Sequence, residues 1–533
     1  MSAKITTAFG EAVPPAPRHS VTAHMGGWET VERYGANSSS VIACFNNAYP
    51  RMRPHWDIAQ LSEALLVHID AVDSGCFLFS SIQSATECVE YSVSAARADG
   101  NGKEPVSEGE LHVRAFKAKD FFYAVIFPES QRTVVAGFWS TPGSGVSSRF
   151  AEANLDQLET LKEISYSDIE VSKEGFEGPI YEILGERVVS YLERAPLNPS
   201  EPSRPSTKDV YFFPTGMAAI YKPHTYLLKS SEHRGSTVLF GMAVHEHPHG
   251  EDLCALEEFL REEHEAHRKV QAIWAEFPAN PLLVTPDLSR LRELADKYDI
   301  ILGIDDTIGS WANIDITAMA DIVVTSVTKS FNGYADVIAG SAILNPASPR
   351  YHGLKQLFKQ YYVPELYVAD AETIERNSRD YLARTTRLNH NASALVRYLQ
   401  SCVENPQSSV LQVHYPSINP SRHLYERFKR PVTEDFTPGY GCLFSVEFES
   451  LAQTRAFYDN LNVHKSVHLG APVTLAFAYT MCTYKKKLDW AAKYGMRPTQ
   501  IRITAGLEDT ETLLEDFSIA VKAADNIKHA PAA

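Results

Sequence analysis

Apolar residues change their spacing several times along the chain, and each change predicts a different element. Through the first 55 residues no period holds, and Gly, Pro and Ser are scattered among the rest, so this stretch reads as an irregular arm. From Trp56 to about Ala96 helical spacing dominates, as in Ile58, Leu61, Leu65 and Leu66. Three runs rich in aromatic and β-branched residues, Cys76 to Phe79, Leu111 to Phe127 and Thr133 to Trp139, predict strands. A polar, Gly-containing loop from Ala98 to Glu110 separates the first two. Further on, Ile180, Ile183, Leu184, Val188, Tyr191 and Leu192 share one face of a helix from Pro179 to Arg194. Pro196 to Thr207 carries four prolines and reads as a linker or surface arm, since proline breaks both helix and central strand.

Beyond the linker the pattern alternates. Short runs rich in Val, Ile and Phe recur at Val210 to Phe213, Thr237 to Phe240, Ala272 to Glu276, Ile300 to Ile304, Ile322 to Thr325 and Val337 to Leu344. Helical segments lie between them. One begins with Thr285 as N-cap and Pro286 in the first turn, followed by Leu288, Leu291, Leu294 and Ala295. Strands alternating with helices predict an α/β domain with a mostly parallel sheet and helices on both faces. Past about Pro346 a long helical region leads into an α+β unit with strands Leu443 to Phe448 and Gln500 to Thr504 and a final helix from about Asp509. The division expected is an arm over 1–55, an accessory α+β segment over 56–195, a large domain over 205–345 and a C-terminal domain over 346–533.

Composition narrows the possible partners. With 44% apolar and 22% charged residues in 533, the chain is globular rather than disordered or fibrous. Its net charge of −16 opposes nucleic acid and anionic membrane surfaces as partners. No run approaches the roughly 20 apolar residues of a membrane span. Met1 to Ser20 has no apolar h-region and Ala-Pro-Ala-Ala at the end is no lipidation or peroxisomal signal, so a cytoplasmic protein is expected. Seven scattered cysteines without a C-x-x-C pair fit free thiols in a reducing compartment, with no metal site. The run His245, His247, His249 has metal-ligand types, but its Pro/Gly-containing loop reads rather as a solvated or substrate-channel loop. His264 and His267 sit on a charged, solvent-facing helix.

Candidate chemistry gathers where parallel strands end, because ligands of such sheets bind at their carboxyl edge. After Phe213 come Pro214-Thr215-Gly216-Met217, a tight turn into a helix whose N–H groups suit a phosphate. Taken alone, an ordinary helix start looks the same. Phe240 ends another strand and is either a core ring or a stacking platform for a flat ligand. Asn280 lies in a turn between two prolines, and turn chemistry alone accounts for it. Asp305 closes a wholly apolar strand and is followed by Asp306 and Thr307; a carboxylate there is costly to bury without a cationic partner. Lys329 follows the next strand within Ser326-Val327-Thr328-Lys329-Ser330. A desolvated lysine loses its proton readily and forms Schiff bases. A phosphate cradle, a stacking ring, an Asp and a Lys among hydroxyls together make the set that pyridoxal phosphate needs.

These segments resemble, in order, the Cys/Met-metabolism family of pyridoxal-phosphate enzymes, and most of all its cystathionine γ-synthase branch in the long fungal form. The likeness rests on Ser326, Thr328, Lys329, Asn332, Gly333, Asp336, Val337 and Gly340, on Asp305 with Thr307, and on Asn280-Pro281-Leu282. Gly216-Met217, Tyr49-Pro50-Arg51 and Ile501-Arg502-Ile503-Thr504 with Gly506, Glu508 and Asp509 complete it. It covers about 205–525 and 20–55; residues 56–200 receive no chemistry from it. The resemblance implies an aspartate-aminotransferase-like (fold type I) domain and pyridoxal 5'-phosphate bound by Tyr49, Arg51, Gly216, Met217, Phe240, Asn280, Asp305, Thr307, Ser326, Thr328 and Lys329. Lys329 is the implied catalytic base, and Arg502 the grip on the substrate carboxylate. In the family, Tyr and Arg of the Tyr-x-Arg segment come from the neighbouring subunit, which implies a homodimer or homotetramer.

Departures fall on the substrate side. The family's stacking Tyr is Phe240, its Gly-His-Ser/Thr-Asp reads Gly333-Tyr334-Ala335-Asp336, and the Ser of its Ser-Leu-Gly segment is His468. Tyr334 and His468 are therefore expected to bind substrate. The resemblance implies γ-substitution on O-acetyl-L-homoserine, releasing acetate, and the changes at Tyr334, Ala335 and His468 point to a specialised second nucleophile, a carbon acid such as a β-keto acid. Housekeeping cystathionine synthesis from L-cysteine and γ-elimination by a lyase are the alternatives.

Overall fold

A computed structural model describes residues 4–97, 103–165, 175–200, 203–230, 236–240 and 249–529, side chains of 240 and 249–252 excepted. Three sheets organise it. The first is four-stranded and antiparallel in the order β1-β3-β2-β4: β1 Ser74–Phe79, β2 His112–Lys117, β3 Phe121–Pro128 and β4 Lys162–Ile164. The run Leu111 to Phe127, read as one strand, is thus two, paired from Lys117↔Phe121 outward. Thr133 to Trp139, expected as a strand, is instead helix Arg132–Ser140. Val134, Val135, Phe138 and Trp139 are all buried, and their spacing of one, four and five places them on one helical face. Packing of that face outweighs a β preference worth no more than about 1 kcal/mol. With helices Trp56–His68 and Ile82–Val93 it closes a separate apolar core around Leu61, Phe79, Phe122 and Phe138.

The second sheet holds β5 Val210–Phe213, β6 Ser236–Phe240, β7 Val270–Glu276, β8 Ile301–Asp305, β9 Ile322–Thr325 and β10 Gly340–Leu344, in the order β5-β10-β9-β8-β7-β6. Strands β6 to β9 run parallel, and β10 is antiparallel to both β5 and β9. Ile301, Leu302, Ile304, Ile322, Val323 and Val324 are all at most 1% exposed, as a sheet covered on both faces requires. The helix after Pro286 starts at Leu288, two residues later than a Thr285 cap predicts. Its cap is Asp287, whose carboxylate accepts from Ser289 N and Arg290 N, and Thr285 is fully buried instead. Helix Pro179–Leu192 packs Leu184, Val188 and Leu192 into this domain's core rather than into the accessory unit.

The third sheet, in the order β11-β12-β15-β14-β13, comprises β11 Val410–His414, β12 Leu443–Phe448, β13 His464–Lys465, β14 Leu475–Phe477 and β15 Gln500–Thr504. Helix Thr510–Lys528, capped by Asp509, covers it. The first 55 residues are more ordered than their composition suggests. Helices Trp28–Ala36 and Ser38–Ile42 bury Trp28, Val31 and Val41 in the C-terminal domain's core, with Trp28 edge-on to Tyr458 at 5.8 Å. All seven cysteines are free. No helix of the described residues is long and apolar enough to cross a membrane.

Candidate active site

The carboxyl ends of β5, β7, β8 and β9 face a cavity of about 570 Å³, within the usual size of small-molecule sites. Gly216, Met217, Glu276, Asn280, Asp305, Thr307, Ser326 and Lys329 line it from the large domain, Arg502 from β15, and Tyr49 and Arg51 from the arm. Ten of the predicted site residues therefore converge.

Lys329 lies at its centre. Its Nζ donates to Tyr49 OH at 3.3 Å and stands 3.5 Å from His468 Nδ1. Burial lowers the Lys329 pKa from the ordinary lysine value, although the Tyr49 phenol pulls it back in part. Burial would raise the Tyr49 phenol, but Lys329 and Arg51 outweigh it and the phenol falls below its ordinary value. His468 is 1% exposed, and its Nε2 is buried without a hydrogen-bond partner. Burial, then Lys329 and Arg502, hold its pKa well below the usual imidazole value, so the ring is neutral.

On the floor, Asp305 accepts from Thr307 N at 2.9 Å, and Thr307 Oγ1 accepts from Ser326 N at 2.8 Å, so two strand ends are tied together. Burial raises the Asp305 pKa, opposed by Thr307 and Lys329. At Gly216 a Cβ would lie 2.6 Å from Ser326 Cβ, so only glycine brings this turn so close to β9's end. The turn leads directly into helix Ala218–Lys229. Arg502 donates to Val467 O at 2.5 Å and to Asn280 Oδ1 at 3.3 Å, and Asn280 Nδ2 donates to Tyr479 OH at 3.3 Å.

These features fit pyridoxal phosphate. Arg51 donates to Ser140 O at 2.7 Å, and Arg502 to the two neutral oxygens above. Among the described residues neither guanidinium pairs with a carboxylate, and burial lowers both. Two such cations in one cavity suit a phosphate and a substrate carboxylate. The helix start at Gly216-Met217 offers a further anion site, Asp305 a partner for a cationic ring nitrogen, and Lys329 an amine for the aldehyde.

Three expectations need correction or restriction. Thr328 does not face the cavity: its hydroxyl donates to Ala339 O at 3.0 Å and accepts from Ala339 N at 2.9 Å. Tyr334 is turned away from the site and donates to Asp380 Oδ2 at 2.6 Å, with Arg384 over its ring. The left-handed turn at Gly333, φ 73°, redirects it. Tyr49 and Arg51 line the cavity beside Lys329, as expected of the Tyr-x-Arg segment. Phe240 closes β6, but its side chain lies outside the described residues, as do His245 and His247 and the side chain of His249.

Glu276 was missed. It ends β7 as Asp305 ends β8, and the two are paired neighbours across the strands. Its Oε2 accepts from Asn280 N at 2.9 Å, which holds the Asn280 turn. Burial and then Asp305 push its pKa up to about 8. The signal, a carboxylate closing an apolar run, was the one that singled out Asp305. Because the folded pKa exceeds the ordinary value near 4.3, the folded apoprotein binds the extra proton. That contribution is whole below about pH 4 and is lost as pH rises through about 8. Glu276→Gln is therefore expected to match wild type in urea unfolding at acidic pH and to be the more stable above pH 8. Equal stability at both ends would contradict it.

Comparison with known proteins agrees with this geometry. Residues 205–522 match the family model of Cys/Met metabolism PLP-dependent enzymes, and residues 57–147 that of the fungal trans-sulfuration enzyme N-terminal domain. The chain is 32% identical to the alanine racemase ungC of Aspergillus violaceofuscus, over 96% of each chain. It is 31% identical to the cystathionine gamma-synthase-like enzyme iboG1 of Amanita muscaria, over 97% of this chain and 98% of that one. Its fold resembles the crystal structure of cystathionine gamma synthase from Xanthomonas oryzae pv. oryzae in complex with cystathionine. There the TM-score is 0.52 at 23% identity, covering 68% of this chain and 90% of that one.

Proposed function

Because the chain belongs to the Cys/Met-metabolism family of pyridoxal-phosphate-dependent enzymes, we propose that it replaces the γ-acyloxy group of an O-acyl-L-homoserine, the acetyl ester first, with a nucleophile other than cysteine. The bound cofactor supplies the electron sink that makes the substrate's Cα proton removable. Arg502 holds the substrate α-carboxylate through the guanidinium hydrogens not committed to Val467 and Asn280. Asp305 holds a positive charge at the floor of the site. Lys329 Nζ, its pKa lowered by burial, is neutral at a lower pH than an ordinary lysine and takes the proton from Cα. The acyloxy group leaves Cγ with its bonding pair as a carboxylate, and the incoming nucleophile supplies the new pair.

One observation carries the choice of nucleophile. Beside Lys329 Nζ, where the family has a serine, stands His468, a neutral imidazole with an unpartnered Nε2. A neutral imidazole accepts a proton where a serine hydroxyl does not, as removal of the α-proton of a β-keto acid requires. This supports a carbon–carbon bond at Cγ. The test is competition between L-cysteine and acetoacetate for O-acetyl-L-homoserine, with products identified by mass. A carbon adduct is expected in excess, with His468→Ser reversing the preference. Efficient cystathionine formation without carbon adduct would overturn the reading, and a keto acid with ammonia would indicate a lyase.

A second reading comes from the relative named an alanine racemase. Tyr49 OH and His468 Nδ1, both close to Lys329 Nζ, are groups able to give and take a proton. L-Alanine incubated in D2O would yield D-alanine with deuterium at Cα if that reading holds, and unchanged L-alanine if it does not.

A further inference from the structure

Among the described residues the accessory unit lines the Lys329 cavity only with Ser140. Several of its other contacts converge on one element of the large domain, helix Ala218–Lys229, which follows the Gly216-Met217 turn. That helix is weakly tied at its start. Pro223 has no N–H to give to Ala219 O, so one rung of the helix's own ladder is missing just behind the first turn. Ala218 N is satisfied from outside the helix, by Thr215 Oγ1 at 2.9 Å.

The accessory unit meets this helix along its whole length. A Cβ on Gly143 would lie 2.7 Å from Thr215 Oγ1, so the loop after helix Arg132–Ser140 packs on the hydroxyl that receives Ala218 N. Phe138 stands edge-on to Tyr221 at 5.8 Å. Lys222 is buried, and its Nζ donates to Glu87 Oε2 and Ser84 Oγ, each at 2.7 Å, and lies 3.6 Å from Glu365 Oε2. Two turns on, Lys229 Nζ donates to Glu87 Oε1 at 3.3 Å. Glu365 is bound by the accessory unit in turn: Ser81 Oγ donates to its Oε1 at 2.5 Å and Ser84 Oγ to the same oxygen. Ser81 caps helix Ile82–Val93, so the Glu365 carboxylate sits at that helix's positive end. A buried lysine between two carboxylates is held to one geometry, because a shift would leave a charge unpaired away from water. Lys222 lies about 6 Å along the helix axis from Ala218, at about 1.5 Å per residue. A displacement there is therefore a displacement of the phosphate end.

We infer that the accessory unit sets the affinity for pyridoxal phosphate by fixing the helix whose N-terminus faces the phosphate, with Lys222 as the positioning residue and Glu87 as its anchor. This holds whichever nucleophile the enzyme uses.

The test compares two ligands that differ only at the phosphate. Pyridoxal phosphate, and pyridoxal with the same ring and aldehyde but no phosphate, are titrated separately into full-length apoprotein and binding is followed by absorbance. Lys222→Met keeps the apolar stem and removes the charge. Glu87→Gln keeps an acceptor for Lys222 and is the deciding variant if Lys222→Met does not fold. In both, pyridoxal phosphate is expected to bind at least about fivefold more weakly, the weight of a helix terminus moved away from an anion. Affinity for pyridoxal is expected to stay at the wild-type value. Phosphorus NMR gives a second readout, since the resonance of the bound phosphate should shift between wild type and Glu87→Gln. Weakening of both ligands by the same factor would make the ion cluster merely structural and overturn the inference. Unchanged affinity for both, with an unmoved phosphorus resonance, would overturn it equally.

Discussion

Lys329→Ala protein is expected to lose turnover by at least about a thousandfold, the upper part of the range for a positioned proton-transfer group. It should also lose all covalent attachment of pyridoxal phosphate. The reason lies in what surrounds Nζ. Tyr49 OH and His468 Nδ1 are the described polar groups at 3.3 and 3.5 Å, and neither is a primary amine that could bond an aldehyde carbon in its place. Borohydride reduction followed by intact-mass measurement reads the outcome directly. Wild type should gain the mass of the reduced cofactor and the variant should not. A variant that still gains it has its cofactor lysine elsewhere.

Asp305→Asn is expected to separate activity from stability. The amide keeps the shape and the hydrogen bond from Thr307 N but carries no charge. A hydrogen bond to a charged group is worth about 1.5–3 kcal/mol, so kcat/KM should fall by about 10- to 150-fold. The folded apoprotein should be no less stable than wild type, because burial already works against the ionised carboxyl at this position. Turnover within about twofold of wild type would remove Asp305 from contact with the cofactor.

The parts of the site legible beforehand were those that end a parallel strand. An apolar run such as Ile301 to Ile304 announces its own burial, so the polar residue after it is already placed at the sheet's edge. Asp305, Ser326 and Lys329 followed from that logic. Direction did not. Thr328 and Tyr334 sit in a matching motif, yet one hydroxyl is consumed by Ala339 and the other is carried away by the turn at Gly333. Spacing in sequence says which residues are near a strand end and not which way a side chain points. The accessory helix was misread because Thr133, Val134, Val135, Phe138 and Trp139 favour strands individually, and only the core they face decides otherwise. The partnership of Tyr49 with Lys329, 280 residues apart, was announced by the Tyr-x-Arg motif and by no periodicity of the chain.

Lys222 also bears on where this protein can be cut. The family match begins at residue 205, which invites treating everything after it as a free-standing enzyme. Yet a fragment starting there would keep Lys222 and Glu365 and lose Glu87, Ser84 and Ser81. Removing one member of a buried ionic group costs about 3–5 kcal/mol, a large share of a domain's typical 5–15 kcal/mol. The fragment would also lose Leu184, Val188 and Leu192 from its core. Its boundary in homology is thus not a boundary in folding: the accessory unit and the catalytic domain form one cooperative body, and neither is expected to be inherited, expressed or exchanged without the other.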